Sequence, residues 1–230
     1  MQLKSIRTLG GHIRLCTGLH IGAGKETVEI GGLDQPIVKD PLSGAPYIPG
    51  SSLKGKMRSL LEVGVVMGDQ PDTRRYITKG KPCGCGRKDC PICVLFGAHN
   101  DPGKCEPDLG PTRLLVRDAM LCKEDMDRFR RGELPMEIKY ENTINRVTGA
   151  ADNPRPLERV PAGVAFELNI ALKVFEGDKA DDLVAWLFRG LKLVELDALG
   201  GGSSRGNGQV VFEDLTLDGQ PVDLASVKAL

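Results

Sequence analysis

Apolar and polar residues alternate in several stretches of the chain, and a period of two predicts β-strands. Residues 2–17 alternate in this way, and the glycine pair at 10–11 predicts a bulge or turn in that strand. The alternation is cleanest over residues 164–175. Residues 112–121 and 209–217 are also rich in strand-forming apolar residues. The sequence therefore predicts four strands.

Two other segments repeat their apolar residues every three or four positions, which is typical of amphipathic helices. In residues 51–64 these positions are Leu53, Met57 and Leu61, and a proline and a glycine precede the segment. Residues 181–196 have the same spacing. We expect one helix in each segment.

The predicted elements follow the order β-α-β-β-α-β, which favours an α+β fold of the ferredoxin-like, split-βαβ type that RNA-recognition domains share. We expect this palm to comprise residues 1–67, 112–131 and 161–230. Two segments lie outside it, a cysteine-bearing insertion over 68–111 and a polar excursion over 132–160.

Composition narrows the class of protein. The 230 residues are 40% hydrophobic and 27% charged, and no apolar run approaches the roughly 20 residues of a membrane helix, so we expect no membrane role. The N-terminus has no signal-peptide pattern, which favours the cytoplasm. The net charge is zero, yet residues 1–100 hold 14 Lys and Arg against 8 Asp and Glu, while 166–230 hold 6 against 11. One basic face is compatible with that distribution, and so is a chance fluctuation of surface charge.

Four cysteines within eleven residues, Cys83, Cys85, Cys90 and Cys93, form the strongest local signal. Four thiolates are the preferred ligands of tetrahedral structural zinc, and the glycines between them let the chain turn. Cys90 and Cys93 alone also fit a redox pair, an alternative that the two extra cysteines make weaker. His99 is a possible substitute ligand. Four protein ligands leave no open position, so the predicted zinc is structural.

A glycine-rich loop over residues 199–208 connects the second helix to the last strand. Its glycines permit positive φ, so that successive N–H groups can form an anion-binding nest beside Arg205. A dinucleotide-binding loop is disfavoured because it would follow a strand and precede a helix. A merely flexible connection remains the alternative.

Two further segments offer candidate chemistry. Lys54 and Arg58 stand four residues apart near a helix N-terminus, where a phosphate would be favoured, although such a pair is often only a solvated face. Asp34 follows two glycines and a leucine and precedes a proline turn. A carboxylate on such a loop can reach a metal ion or a ribose, or it can simply form the turn.

These motifs, in this order, resemble the RAMP superfamily, in particular the backbone subunits of type III-A (Csm) CRISPR effectors. The resemblance rests on His20-x-Gly-x-Gly, on Gly-Gly-Leu-Asp34, on the segments 49–55 and 93–97, on Glu141-Asn142-x-x-x-Arg146-x-Thr-Gly, and on the terminal glycine loop. It covers nearly the whole chain.

The resemblance implies copies of the chain in a filament along a CRISPR guide RNA, together with other Csm subunits, including the large subunit of the Cas-ten type. The excursion at 132–160 would be a thumb hairpin that inserts between bases and kinks the guide–target duplex, with Pro154, Pro156 and Leu157 as apolar wedges. The residues expected at RNA are His20, Lys25, Ser51, Ser52, Lys54, Arg58, Lys139, Asn142, Arg146, Arg155, Arg159, Gly201, Gly202, Ser203, Ser204 and Arg205.

The resemblance also implies that Asp34 is the residue at which complementary target RNA is cut, with Mg²⁺, opposite each displaced base. Three alternatives stay open: a guide-RNA scaffold without catalysis, a metal-independent endoribonuclease that matures CRISPR transcripts, and a zinc protein without an RNA role. The second would need an acid–base pair, and the three histidines are poorly grouped for one.

Overall fold

The computed structural model describes residues 2–24, 35–64, 81–98, 105–106 and 109–229. Lys25, Asp34 and His99 therefore lie outside the described residues. The strands are β1 (Leu3–Leu15), β2 (Tyr47–Ile48), β3 (Leu114–Val116), β4 (Ala119–Met120), β5 (Glu137–Ile144), β6 (Ala151–Arg159), β7 (Ala165–Phe175), β8 (Val210–Leu217) and β9 (Gln220–Pro221). The helices are α1 (Gly50–Gly64), α2 (Pro91–Phe96), α3 (Lys123–Arg130) and α4 (Ala180–Leu196).

A five-stranded sheet in the order β3-β7-β1-β8-β9 forms the centre of the structure, and its neighbouring strands are antiparallel. Helices α1 and α4 pack against each other, and α4 also contacts β8. Ile13, Phe166 and Ile170 of the sheet and Met57 and Leu191 of the helices have no exposed surface. Each such side chain contributes about 1.5–3 kcal/mol, so the alternating and helical apolar patterns together supply the core.

The glycine pair in β1 forms the bulge that the sequence predicts. The pairing of β1 with β8 shifts register between Gly10 and His12, and Gly11 has φ 149°. A Cβ atom on Gly11 would lie 2.8 Å from the carbonyl oxygen of Glu213, so a larger residue would push the two strands apart.

One predicted strand is divided in two. Residues 112–121 form β3, which pairs with β7, and β4, which pairs with β2. The chain turns between them at Arg117 and Asp118, and Asp118 Oδ1 accepts a hydrogen bond from the N–H of Gly50 at 2.7 Å. The break thus places a carboxylate at the start of α1, a long-range contact that strand periodicity does not encode.

The excursion between β4 and β7 contains α3 and an antiparallel hairpin of β5 and β6, which we call the hairpin. Glu141 pairs with Arg155, and Thr143 with Asp152, so Asn142 lies at a bulge opposite two residues. An antiparallel bridge between Val160 and Leu19 ties the base of the hairpin to the segment that follows β1. The division of the chain into palm, insertion and thumb stays a prediction. Within the described ranges, no helix has the length and apolarity needed to cross a membrane.

Candidate nucleic-acid interface and metal centre

The glycine loop folds back on the segment that carries His20. The N–H of Gly201 donates to the carbonyl of His20 at 2.8 Å, and the N–H of Gly208 donates to that of Gly18 at 3.0 Å. A Cβ atom on Gly200 would lie 2.3 Å from the His20 oxygen, and one on Gly208 would lie 1.8 Å from the Leu199 oxygen. Both glycines have positive φ, so close approach and backbone conformation both require them.

The predicted nest of anion-binding amides is wrong for part of this loop. The N–H groups of Gly201, Arg205, Gly206 and Gly208 all donate to backbone carbonyls of the protein. They are therefore not offered to a phosphate. What the loop presents outward is an exposed 3-10 turn, Ser203–Arg205, with its two hydroxyls and one guanidinium.

Two cations from the hairpin hold the glycine loop. Lys139 Nζ donates to the Arg205 carbonyl at 2.7 Å and lies 3.3 Å from Asn207 Oδ1. Arg159 Nη1 donates to the same Asn207 oxygen at 2.7 Å, and its other branch pairs with Glu137. Asn207 is 1% exposed, so these contacts bury it between the loop and the hairpin. The structure thus brings Lys139, Arg159 and the loop together, and both cations are engaged by acceptors of the protein.

A third contact joins the hairpin to the glycine loop. Arg205 Nε lies 2.8 Å from Glu141 Oε2, and the hydrogen bond from Arg205 lowers the pKa of Glu141 below its ordinary value. Next to this pair is a cleft of about 200 Å³. Its lining residues are Gln35, Glu141, Asn142, Thr143, Arg155, Leu157 and Arg205. The predicted residues Asn142, Arg155 and Arg205 therefore share one cleft.

His20 is fixed by the hairpin. Its Nδ1 donates to the carbonyl of Glu158 at 2.8 Å, because a carbonyl can only accept. The Glu158 carboxylate is 4% exposed and accepts from Lys39 at 2.6 Å and from the Ile37 N–H at 3.0 Å. Glu158 thereby ties the strand-like segment at 35–39 to β6.

The start of α1 differs from the prediction of free N–H groups. The N–H of Gly50 is taken by Asp118, and that of Ser52 donates to the Pro49 carbonyl at 2.9 Å. Ser51 is exposed and Ser52 is half-buried, so their hydroxyls remain the available groups.

Lys54 and Arg58 have internal partners. Lys54 Nζ donates to the Leu114 carbonyl at 3.2 Å, and burial, with repulsion from Arg58, lowers the pKa of Lys54. Arg58 donates to Glu62 at 2.9 Å and to the Cys83 carbonyl at 2.6 Å. Arg58 thus links α1 to the cysteine segment, a structural role that the helical spacing did not suggest.

The tip of the hairpin is exposed. Arg146 lies there and donates to the Ile144 carbonyl at 2.8 Å. The wedge prediction is wrong for Leu157, which is 4% exposed because it bridges to Gln35, whereas Val147 at the tip is 94% exposed. A strand pattern could not tell which apolar residues of the hairpin face the palm.

The structure adds residues to the interface that sequence reasoning missed. Asn207 and Glu158 are buried polar residues that organise it, and Glu141 lines its cleft. Glu141 was part of a recognised motif, but nothing in the sequence signals the pairings of the other two.

The four cysteines of the insertion converge. The sulfur atoms of Cys83, Cys85, Cys90 and Cys93 all lie within 4.8 Å of one another. Cys93 is 3.6 Å from both Cys83 and Cys85, and Cys83 is 3.8 Å from Cys90. Tetrahedral zinc with Zn–S bonds of about 2.3 Å places its sulfurs roughly 3.8 Å apart, so the donor set fits this ion.

The thiols of the cluster differ in the direction of their pKa shifts. Hydrogen bonds from Cys83 and Cys90 lower the pKa of the Cys93 thiol, whereas hydrogen bonding to Cys83 and Cys93, together with burial, raises the pKa of Cys90. A divalent cation would allow several thiols to ionise together.

The chain matches the model of the RAMP superfamily over residues 12–211. It is 40% identical to "CRISPR system Cms endoribonuclease Csm3" of Methanothermobacter thermautotrophicus, over 97% of this chain and 90% of the relative. It is also 40% identical to the protein of the same name from Methanocaldococcus jannaschii, over 96% of this chain and 84% of the relative.

The fold of the chain is similar to solved structures of Csm3 proteins. A Methanopyrus kandleri Csm3 crystal structure aligns with a TM-score of 0.61 and 30% identity, over 90% of this chain and 75% of that chain. A crystal structure of a Csm3-Csm4 subcomplex in the type III-A CRISPR-Cas interference complex aligns with a TM-score of 0.58 and 31% identity, over 94% and 80%.

Proposed function

Because the chain belongs to the RAMP superfamily and, within it, to the Csm3 family, we propose that it is a guide-RNA-binding backbone subunit of a type III-A CRISPR complex that cuts complementary target RNA. The observation that carries this proposal is the junction of the hairpin with the glycine loop, which presents the exposed turn Ser203–Arg205. Lys139 and Arg159 fasten the hairpin to the glycine loop, and Arg205 stands beside them.

The palm is a ferredoxin-like domain in this proposal. Within the central sheet, without the two-residue edge strand β9, the strand order β3-β7-β1-β8 with α1 and α4 as the two helices supports the split-βαβ topology. The hairpin is the thumb. Val147 at its exposed tip and Ile144, which is 45% exposed, are apolar groups suited to separating bases.

Guide RNA is held mainly through its phosphates and sugars. The exposed hydroxyls of Ser51, Ser203 and Ser204 and the exposed guanidinium of Arg205 support this. Contacts of this kind carry no sequence information, so base pairing between guide and target supplies the selectivity. Binding should weaken steeply as salt rises.

Asp34 acts as the catalyst in this proposal. A displaced nucleotide frees its ribose 2′-OH for in-line attack on the adjacent phosphate, which forms a 2′,3′-cyclic phosphate while the bond to the 5′-oxygen of the next nucleotide breaks. Positioning therefore supplies much of the acceleration. Asp34 would hold a Mg²⁺ ion, which would stabilise the charge that develops on the phosphate, or it would accept the proton of the 2′-hydroxyl. The names of the relatives as endoribonucleases support RNA cleavage.

Zinc is structural. Cys83, Cys85, Cys90 and Cys93 would hold it, and it would stabilise the insertion by joining the two ends of its cysteine loop. With four sulfur ligands it would offer no position to substrate. We place the protein in the cytoplasm, where thiols stay reduced, alongside further copies of itself, other Csm subunits and a Cas-ten-type large subunit.

Purification tests the binding proposal. The tagged chain isolated from its host should carry CRISPR-derived guide RNA, which sequencing of the bound RNA would reveal, and should release it as salt is raised. A preparation without guide RNA, which also ignores guide RNA when offered it, would contradict the proposal.

Substitution tests the catalytic part. Asp34→Ala in the assembled complex should abolish periodic cleavage of the target while target affinity stays unchanged, and EDTA should stop the wild type. Asp40→Ala is the matched control, because Asp40 is half-buried beside the turn at 41–43 and its carboxylate accepts hydrogen bonds from Ser43. Unchanged cleavage by Asp34→Ala would favour the alternative in which this chain is a scaffold without catalysis. Cleavage that persists in EDTA would favour the alternative of a metal-independent nuclease.

A further inference from the structure

The cleft beside the glycine loop contains an acceptor without a donor. Glu141 Oε2 pairs with Arg205, but Oε1 is buried, and no donor of the described residues lies within hydrogen-bond distance of it. The nearest cation, Lys139 Nζ, is 3.9 Å away. Leaving a buried acceptor unsatisfied costs about 1–3 kcal/mol, more for a charged group. We therefore expect this oxygen to accept a hydrogen bond from an N–H or O–H group that is not part of the described residues.

The lining of the cleft narrows the chemistry of that group. Its volume of about 200 Å³ is below the roughly 300–1,000 Å³ of ordinary small-molecule sites, and it suits one flat ring better than a whole cofactor. Gln35 and Asn142 add side-chain amides, which can both donate and accept, and Leu157 adds an apolar wall. Arg155 contributes a planar guanidinium on which an aromatic ring can stack.

A phosphate fits this cleft less well than a base. The pKa of Glu141 is held below its ordinary value, so the carboxylate is ionised at neutral pH. Its ion pair with Arg205 already neutralises the guanidinium. The negative Glu141 oxygen would repel a phosphate, and a phosphate has no hydrogen-bond donor to offer that oxygen. Every nucleobase of RNA, in contrast, has at least one N–H on its pairing edge, and that edge is available when the base is unpaired.

We propose that this cleft receives a nucleobase that the hairpin displaces from the guide–target duplex, with Glu141 Oε1 accepting a hydrogen bond from an N–H of the base. Arg155 covers one face of the base, and the bulge at Asn142 turns its amide toward the base edge. The inference rests on the proposed function and adds to it a binding site for the displaced base. Holding the base keeps its nucleotide rotated out of the duplex.

The decisive variant is Glu141→Gln. The amide oxygen would remain with Arg205, which has only donors, so the NH₂ group would take the position of Oε1 and present a donor to the base instead of an acceptor. Glu133→Gln is the matched control, because Glu133 also pairs with an arginine, Arg131, at 2.8 Å, but is exposed and does not line the cleft.

The experiment measures dissociation of target RNA from complexes assembled with each variant. Targets are 2′-deoxy at the displaced positions, to prevent cleavage, and displaced positions are those where a mismatch to the guide costs no affinity. At these positions, removing the base to leave an abasic sugar should weaken wild-type and Glu133→Gln complexes by about tenfold. In Glu141→Gln the same removal should cost clearly less affinity than in wild type, because only the contacts of the base with Arg155 and the other lining residues remain, while abasic sugars at paired positions should weaken all three complexes equally.

An abasic penalty at displaced positions that is equal in wild type and Glu141→Gln overturns the inference, and so does the absence of a penalty in wild type. Neither result affects guide binding, which is measured on the same complexes. A wild-type protein that binds no guide RNA overturns the proposed function itself, and this inference with it.

Discussion

Glu62 on α1 and Cys83 in the insertion are joined by a hydrogen bond of 2.9 Å from the Cys83 N–H to Glu62 Oε1. The same oxygen accepts from Arg58 Nε, also at 2.9 Å, and Arg58 reaches on to the Cys83 carbonyl. Glu62 is 6% exposed. One buried carboxylate thus fixes the first cysteine of the cluster to the helix.

Replacement of Glu62 by alanine should therefore lower the free energy of unfolding by about 3 kcal/mol, because it removes the carboxylate that pairs with the half-buried Arg58 and leaves the buried Cys83 N–H without its acceptor. Urea unfolding at pH 7 measures the change. Glu176→Ala, at an exposed position, should stay within about 0.5 kcal/mol of wild type. Equal effects of the two variants would contradict the assignment.

Zinc should be present at one equivalent per chain and should depend on the cluster. Cys93→Ser should lose the metal, as measured by elemental analysis, and unfold at a lower temperature, because the ion is expected to hold Cys83, Cys85 and Cys90 together with it. Cys16→Ser, at an exposed cysteine outside the cluster, should retain the metal. Loss of zinc from both variants, or from neither, would argue against the site.

Two glycines of the terminal loop should respond differently to alanine. Gly208 and Gly206 both have φ near 80°, but a Cβ would meet the Leu199 carbonyl at 1.8 Å on Gly208 and nothing within 4 Å on Gly206. Gly206→Ala should cost about 1 kcal/mol from backbone strain alone. Gly208→Ala should cost several times more, measured by thermal unfolding, and should weaken RNA binding by displacing the loop. Similar costs at both sites would show that the close approach is unimportant.

The buried ion pair of Arg113 and Asp178 should make stability pH-dependent. Burial opposes ionisation of Asp178, but hydrogen bonds from Arg113 and the Phe175 N–H hold its pKa below the ordinary value. Since the folded pKa is the lower one, the contribution is present above the unfolded pKa of about 4 and is lost as pH falls through the folded value. Asp178→Asn should destabilise the protein by about 3 kcal/mol at pH 7.

That difference between Asp178→Asn and wild type should shrink below pH 4 in denaturant titrations. Asp181→Asn, at an exposed position in the first turn of α4, provides the comparison and should show little pH-dependent difference. A difference for Asp178→Asn that is constant from pH 7 to pH 3 would contradict the assignment.

Sequence alone determined the long strands of the central sheet and the helices α1 and α4. The alternation over residues 164–175 predicted β7 (Ala165–Phe175), and the helical spacing predicted α1 and α4, because a period of two or 3.6 is a local property of the chain. The bulge at Gly11 and the convergence of four closely spaced cysteines were also foreseeable, since each depends on nearby residues.

Tertiary structure decided which polar side chains are available to a ligand. Arg58 looked like a phosphate contact but is engaged with Glu62, and the Gly50 N–H is taken by Asp118, 68 residues away. Leu157 is covered while Val147 is exposed. Hydrogen-bond partners and burial depend on residues distant in the chain, so no local pattern determines them. It is the fold that buries Glu141 Oε1 without a hydrogen-bond donor from the described residues.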